Sequence, residues 1–136
     1  MKKIITILLA LIIWAASIGA ERNEPLQNDG HIDFEAAGFQ KIYATAYILK
    51  GTTASGGTTR SGICACNPHL GDTAIIYTLN GQYLGIYECT DCGGTDGLKA
   101  GTVVDIWKAN MTQAESFMKL IGPEQEVYIM WIEGDG

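Results

Sequence analysis

The stretch TAIIYTLNGQYLGIYECT, residues 73–90, consists of two runs rich in Ile, Tyr and Thr on either side of Asn80-Gly81. Side chains of these types favour β-strands, and Asn-Gly between two such runs is a strong signal for a β-hairpin. The dipeptide also favours a type I′ turn, in which both central residues have a positive φ. We therefore predict a hairpin of strands 73–79 and 82–90.

Four further short runs have the same composition and predict strands at residues 41–49, 62–66, 102–107 and 126–132. Residues 51–60 and 92–101 are rich in glycine and predict loops. The six strands predict an all-β (mainly β) fold, a small six-stranded barrel that is closed or nearly closed.

One short α-helix is predicted between the last two strands. Thr112 and Glu115 have the spacing of a capping box, and the dipeptide Gly122-Pro123 ends the helix. The residues between these signals supply an apolar face that can cover the barrel.

The first 20 residues have the layout of a secretory signal peptide. Lys2 and Lys3 precede an apolar run over residues 4–18, and small residues follow before Glu21. The apolar stretch is also at the lower length limit for an uncleaved membrane anchor. We expect export, a polar linker over residues 21–39 and one folded domain over residues 40–133.

The chain is acidic, with 9 Lys and Arg against 15 Asp and Glu and a net charge of −6. Residues 1–20 hold two of the lysines and no acidic residue, so the rest of the chain has a net charge of −8. A chain with this negative net charge lacks the positively charged surface that nucleic-acid-binding proteins use. It also gives no attraction to an anionic polymer, which would have to be bound by shape, hydrogen bonds and aromatic contacts.

The four cysteines form a C-x-C and a C-x-x-C, namely Cys64, Cys66, Cys89 and Cys92. An even number in an exported protein favours disulfides between the two segments, with three possible pairings. A zinc site is the less favoured alternative, because C-x-C in a strand spaces its thiols about 7 Å apart. A redox pair would need a helix after Cys92, where Gly93-Gly94 stands. Free thiols are a further alternative, and no metal or cofactor is predicted.

Two aspartates lie at positions that suggest a catalytic role. Asp91 ends a predicted strand, and Asp105 lies inside the apolar run Val103–Trp107. Burying a carboxyl group is costly, and burial raises its pKa, as a general acid near neutral pH requires. The alternative is that Asp105 faces solvent or caps a turn. His69 has no Ser or Cys partner that would form a nucleophilic site.

Several short motifs, taken in order, resemble the 3D (Asp-Asp-Asp) domain of bacterial cell-wall proteins, including stationary-phase survival proteins. They are ATAY at 44–47, TASG at 53–56, ACNP at 65–68, YECTDCGG at 87–94 and LKAGTVVDIW at 98–107. The resemblance covers about residues 40–133. It implies a double-psi β-barrel similar to that of certain lytic transglycosylases, which cleave the MurNAc–GlcNAc bond of peptidoglycan and leave a 1,6-anhydro sugar.

The resemblance also implies roles for individual residues. Asp105 would be the catalytic acid and base, and Asp91 would orient substrate or stabilise positive charge. The implied ligand is the peptidoglycan glycan strand in the cell wall, and the supporting cleft residues are Thr45, Tyr47 and Gly94.

The chain departs from the family pattern at Asn67, where the first family aspartate would stand. An amide can hydrogen-bond to substrate but cannot titrate. Asp72 is a candidate for a substitute charge, with turn capping as its alternative. A non-catalytic polysaccharide-binding or wall-loosening module, as in the similarly folded expansins, is therefore the alternative function. A secreted domain with a protein partner is a third.

Overall fold

The computed structural model describes residues 32–135, in which six strands close into a barrel in the order β1-β5-β2-β4-β3-β6. The strands are β1 (Gln40–Tyr47), β2 (Ile63–Ala65), β3 (Thr73–Thr78), β4 (Tyr83–Asp91), β5 (Val103–Trp107) and β6 (Glu126–Ile132). The predicted signal peptide, and most of the predicted linker, lie outside the described residues. Within residues 32–135, no helix has the length and apolar character needed to cross a membrane.

The barrel mixes parallel and antiparallel pairs. Strand β1 runs parallel to β5 and β2 runs parallel to β4, whereas the other four neighbouring pairs are antiparallel. Parallel pairs need crossover connections, so the chain cannot be a simple series of hairpins. The prediction of a small, mainly β, six-stranded barrel is confirmed, and this closed mixed barrel is compatible with a double-psi topology.

The barrel interior follows from the period-two alternation of the strands. Val104 and Ile106 of β5 are fully buried in the main core, and Ala44 of β1 and Ile129 of β6 join them there. Burying an Ile or Val side chain contributes about 1.5–3 kcal/mol. Because alternate residues of a strand point to opposite faces, Asp105 between Val104 and Ile106 lies on the outer face of the barrel.

Residues 32–135 contain two α-helices rather than the single one predicted, α1 (Asp96–Ala100) and α2 (Met111–Ile121). Helix α1 lies where a glycine-rich loop is predicted. Thr95 begins it by accepting a hydrogen bond from Leu98 N at 3.4 Å, and Leu98 is buried. The loop prediction for residues 92–101 is therefore wrong at α1, because a cap and one buried leucine suffice for a short helix.

Helix α2 is capped two residues earlier than predicted. The side chain of Asn110 accepts a hydrogen bond from Gln113 N at 2.9 Å, and Gln113 Oε1 accepts one from Ala109 N at 3.3 Å. Thr112 is thus inside the helix. Asparagine is the stronger N-cap residue of the two, which accounts for the shift. The predicted end at Gly122 is confirmed, since Gly122 N donates to Met118 O at 3.1 Å.

The predicted hairpin of β3 and β4 is confirmed, but its turn is not type I′. Gly81 has a φ of 93°, whereas Gln125 is the sole non-glycine with a positive φ in residues 32–135, so Asn80 does not have one. Gly81 N donates to Thr78 O at 3.0 Å and Thr78 N donates to Gln82 O at 2.8 Å. This is a three-residue loop with glycine last, as in a type I turn followed by a G1 bulge.

A second, aromatic core cluster lies outside the main one. Phe34 is buried and stacks on Tyr128 with ring centroids 4.9 Å apart, and it also contacts Phe39 and Tyr77. Residues 34–38 form a hydrogen-bonded turn that places Phe34 there. The packed structure therefore begins before the predicted domain boundary at residue 40.

Candidate functional site

A row of four residues crosses four neighbouring strands on the outer face of the barrel. Thr45 of β1 is in register with Asp105 of β5, and Asp105 is in register with Ala65 of β2. Ala65 is in turn in register with Asp91 of β4. Neighbouring strands lie about 4.8 Å apart, so the backbones of the two aspartates are roughly 10 Å apart with only a methyl side chain between them.

Asp105 is a partly buried carboxyl group with one hydrogen-bond donor. The hydroxyl of Thr45 donates to Asp105 Oδ1 at 2.8 Å. Burial raises the pKa of Asp105; the Thr45 hydrogen bond opposes this and the charge of Asp91 adds to it, leaving the pKa above its ordinary value. Asp105 therefore keeps its proton to a higher pH than an ordinary carboxyl group, which is the property a general acid needs.

Asp91 has a different environment, with three donors around its carboxyl group. Tyr47 donates its hydroxyl to Oδ2 at 3.2 Å. The backbone N–H groups of Ala54 and Cys92 donate to Oδ1 at 3.1 and 3.0 Å. An ionised carboxylate only accepts hydrogen bonds, and these three contacts suit that form. The site therefore contains one carboxyl group with a raised pKa and one whose two oxygens are held by three donors.

The predicted loop over residues 51–60 is held against the end of β4 and forms one wall of the site. Ser55 N donates to Thr90 O at 3.0 Å, and Thr53, within the loop, is buried. Gly56 has a φ of 99°, a conformation that strongly favours glycine, and its N–H donates to Thr53 O at 2.9 Å. Sequence reasoning identified the TASG motif but not the backbone contact of Ala54 with Asp91, because backbone donors carry no residue-type signal.

Asn67 and Gly93 are joined by two hydrogen bonds. Asn67 Nδ2 donates to Gly93 O at 2.9 Å, and Gly93 N donates to Asn67 Oδ1 at 2.8 Å. A Cβ atom on Gly93 would overlap Leu98 Cδ1, so a larger residue there would require the Leu98 side chain to shift. The predicted ligand-binding residue Asn67 thus uses both ends of its amide to fasten the segment that follows Asp91.

The remaining candidate residues either hold loops in place or lie away from the two carboxyl groups. Asp72 accepts one hydrogen bond from Gly134 N at 2.9 Å and forms another with His69 Nδ1 at 3.0 Å. It therefore caps loops, and its carboxyl group is not free to replace the missing family aspartate. His69 stacks on Trp131 at a centroid distance of 4.1 Å. Gly94 makes no hydrogen bond to either aspartate, and a Cβ atom there would meet nothing within 4 Å.

All four cysteines are thiols in the structure. Three of them, Cys64, Cys66 and Cys89, are buried and Cys92 is exposed. Within the described part of the chain, no group of three or more His, Cys, Asp or Glu side chains is arranged to hold a metal ion. The predicted disulfides stay a prediction.

In comparisons with protein-family models, curated proteins and solved structures, nothing matches the chain at a significant level. A functional proposal for this protein therefore rests on the barrel, on the two aspartates and on the motif resemblance.

Proposed function

We propose that the protein is an exported, 3D-domain-like enzyme of the cell wall that cleaves the MurNAc–GlcNAc bond of peptidoglycan strands without net hydrolysis. The observation that supports this best is the pair of unlike carboxyl groups on one face of the barrel. Asp105 has a raised pKa, and Asp91, two strands away, is surrounded by donors. One acid to protonate the leaving oxygen and one fixed negative charge to stabilise an oxocarbenium-like transition state would serve cleavage of a glycosidic bond.

In the proposed reaction, Asp105 protonates the glycosidic oxygen as the bond from that oxygen to the anomeric carbon breaks. The resulting Asp105 carboxylate then accepts the proton of the C6 hydroxyl, whose oxygen attacks the anomeric carbon. The products are a 1,6-anhydro sugar and a shortened strand, and Asp105 is protonated again. The same residue can serve in both steps because its Thr45 hydrogen bond stabilises the carboxylate while burial stabilises the acid.

We assign Asp91 to charge stabilisation rather than to nucleophilic attack. Two backbone donors hold Oδ1, and the Tyr47 hydroxyl holds Oδ2. A nucleophile would have to give up part of this hydrogen bonding to form a covalent bond. A fixed charge lowers the energy of a nearby cationic transition state without moving.

The test is mass spectrometry of the soluble products released from purified sacculi. Asp105→Asn should abolish release of anhydro-muropeptides, because the amide can neither donate a carboxyl proton nor take one back. Asp135→Asn makes the same chemical change at an exposed position near the C-terminal end and should leave release unchanged. Full activity of the Asp105→Asn variant would overturn the proposal.

A non-catalytic wall-binding module is the second candidate, and the observation that favours it is the use of Asn67 in the fold. The position of the first family aspartate has no titratable group, and its amide is already bonded to Gly93. Co-sedimentation of the protein with sacculi, with no soluble product detected by mass spectrometry, would favour this candidate over the enzyme.

A further inference from the structure

Two cysteines meet inside the barrel, directly beneath the row of site residues. Cys64 of β2 and Cys89 of β4 are register partners in a parallel pair of strands. Both side chains belong to the main core, with exposed fractions of 0% and 2%, and the Cys89 thiol donates to the backbone carbonyl of Cys66 at 3.2 Å. Two buried thiols at paired positions of neighbouring strands, in the same core, are placed for a covalent bond.

The backbone separation also suits a disulfide. Neighbouring strands lie about 4.8 Å apart. The Cα atoms of disulfide-bonded cysteines lie roughly 4.4–6.8 Å apart. Register partners direct their side chains to the same face, so Cys64 and Cys89 could be joined without moving either strand far.

The other two cysteines are placed differently. Cys66 follows β2 and is also buried in the main core. Its backbone N–H donates to Asp91 O at 3.3 Å, which places it opposite the end of β4, and its contact with Cys89 is through its backbone carbonyl, which accepts from Cys89 Sγ at 3.2 Å. Cys92 lies beyond the end of β4 and is exposed. Neither is a register partner of Cys64 or Cys89.

We propose that Cys64 and Cys89 form a cross-strand disulfide when the chain folds in the presence of a low-molecular-weight disulfide such as oxidised glutathione. One cysteine thiolate attacks the small disulfide and releases one small thiol, giving a mixed disulfide. The second cysteine attacks the protein sulfur of that mixed disulfide and releases the second small thiol. The two cysteine protons end on the two small thiols, so two protein thiols are oxidised and one small disulfide is reduced.

The Cys64–Cys89 disulfide would lie next to a shift in strand register that sets the direction of the Asp91 side chain. The register of β2 with β4 shifts between Cys64 and Ala65, so that Cys64 is opposite Cys89 while Ala65 is opposite Asp91. Thr90 is the extra residue, and its hydroxyl is buried without a hydrogen-bond partner. A β-bulge bends its strand and redirects the side chains beside it. A disulfide on the inner side would hold this bulge, and with it Asp91, in place.

The decisive experiment refolds the full chain in a reduced and oxidised glutathione mixture, alkylates free thiols and digests it with a protease that cuts before aspartate. Cleavage before Asp72 and Asp91 places Cys89 and Cys92 on different peptides, both separate from the peptide with Cys64 and Cys66. We expect the Cys89 peptide linked to the Cys64 peptide, with Cys92 alkylated. Linkage of Cys89 to Cys92, or four alkylated cysteines, would overturn the proposal.

Two alanine variants separate Cys64 from Cys66, which share a peptide. Cys66→Ala should keep the link to Cys89, whereas Cys64→Ala should abolish it; the reverse result would overturn the pairing. In the wild type and in Cys66→Ala, reduction should lower the melting temperature by about 10 °C or more, because the bond closes a loop of more than 20 residues in the unfolded chain. These readouts need no wall activity, so their failure and the failure of the proposed function are distinguishable.

Discussion

Asn67 and Gly93 are bonded to each other in both directions, with the Asn67 amide donating to the Gly93 carbonyl and accepting from the Gly93 N–H. Only a side chain that carries a donor and an acceptor side by side can make this pair. The pair fastens the segment after Asp91 to the segment after β2. The residue at the position of a family aspartate is thereby part of the framework that holds the candidate site.

Asn67→Asp should destabilise the protein, although it restores the family residue. An ionised aspartate cannot donate to Gly93 O and would place negative charge against that carbonyl oxygen. Loss of one such hydrogen bond, with its partner left partly buried, costs about 1–3 kcal/mol. Denaturation in urea measures this, with Asn80→Asp in the hairpin loop as a control. Unchanged stability together with higher wall-cleaving activity would show that the position needs a carboxylate for catalysis.

Thr45→Val should move the alkaline limb of the pH–activity profile to higher pH. The Thr45 hydroxyl stabilises the Asp105 carboxylate, and this hydrogen bond lowers the pKa that burial raises. Valine keeps the branched shape but removes the donor, so Asp105 would hold its proton to higher pH. Initial rates of anhydro-muropeptide release across the pH range measure the limb. Thr58→Val, at an exposed loop position, should leave it unchanged; a shift to lower pH would contradict the assignment of Asp105.

Asp105→Asn should stabilise the fold increasingly as the pH rises. The folded-state pKa of Asp105 lies above its ordinary value. The folded chain therefore holds this proton more tightly than the unfolded chain, and the stability it contributes at low pH is lost as the pH rises through the folded-state pKa. An amide has no such loss. The melting temperature of the variant minus that of the wild type should grow from acidic to neutral pH, and a difference that shrinks would mean that the folded state favours the carboxylate.

Ala65→Val should impair activity more than it impairs folding. Ala65 is 3% exposed and lies in register between Asp105 and Asp91, so a larger side chain would separate or tilt the two carboxyl groups. Overpacking costs about 1–3 kcal/mol, and misplacing a catalytic group by an ångström can cost about 100-fold in rate. Ala74→Val, in the buried strand β3, is the matched control. Equal loss of activity in both variants would mean that stability alone is responsible.

The strands were predictable because each carries its own local signal. Alternating β-branched and aromatic residues identify β1 to β6 to within two residues of their observed ends, and Gly122 ends α2 as predicted. The incorrect helix predictions also depended on local features. Helix α1 has only five residues, one of them Gly97, and is followed directly by Gly101. The cap of α2 depended on whether Asn110 or Thr112 bonded the first turn. Asparagine is the stronger N-cap residue, but the capping-box spacing of Thr112 and Glu115 pointed to the later start.

The strands, the hairpin and the acidic character of the chain could be predicted from the residues alone, because strand propensity, turn chemistry and charge are properties of neighbouring residues. The sequence also drew attention to Asp91 and Asp105 as carboxyl groups at unusual positions. The fold was needed to show that one row contains Thr45, Asp105, Ala65 and Asp91, and that Cys64 is paired with Cys89. These relationships depend on the register of strands far apart in the chain, and register is set only when the barrel closes and each strand buries one face.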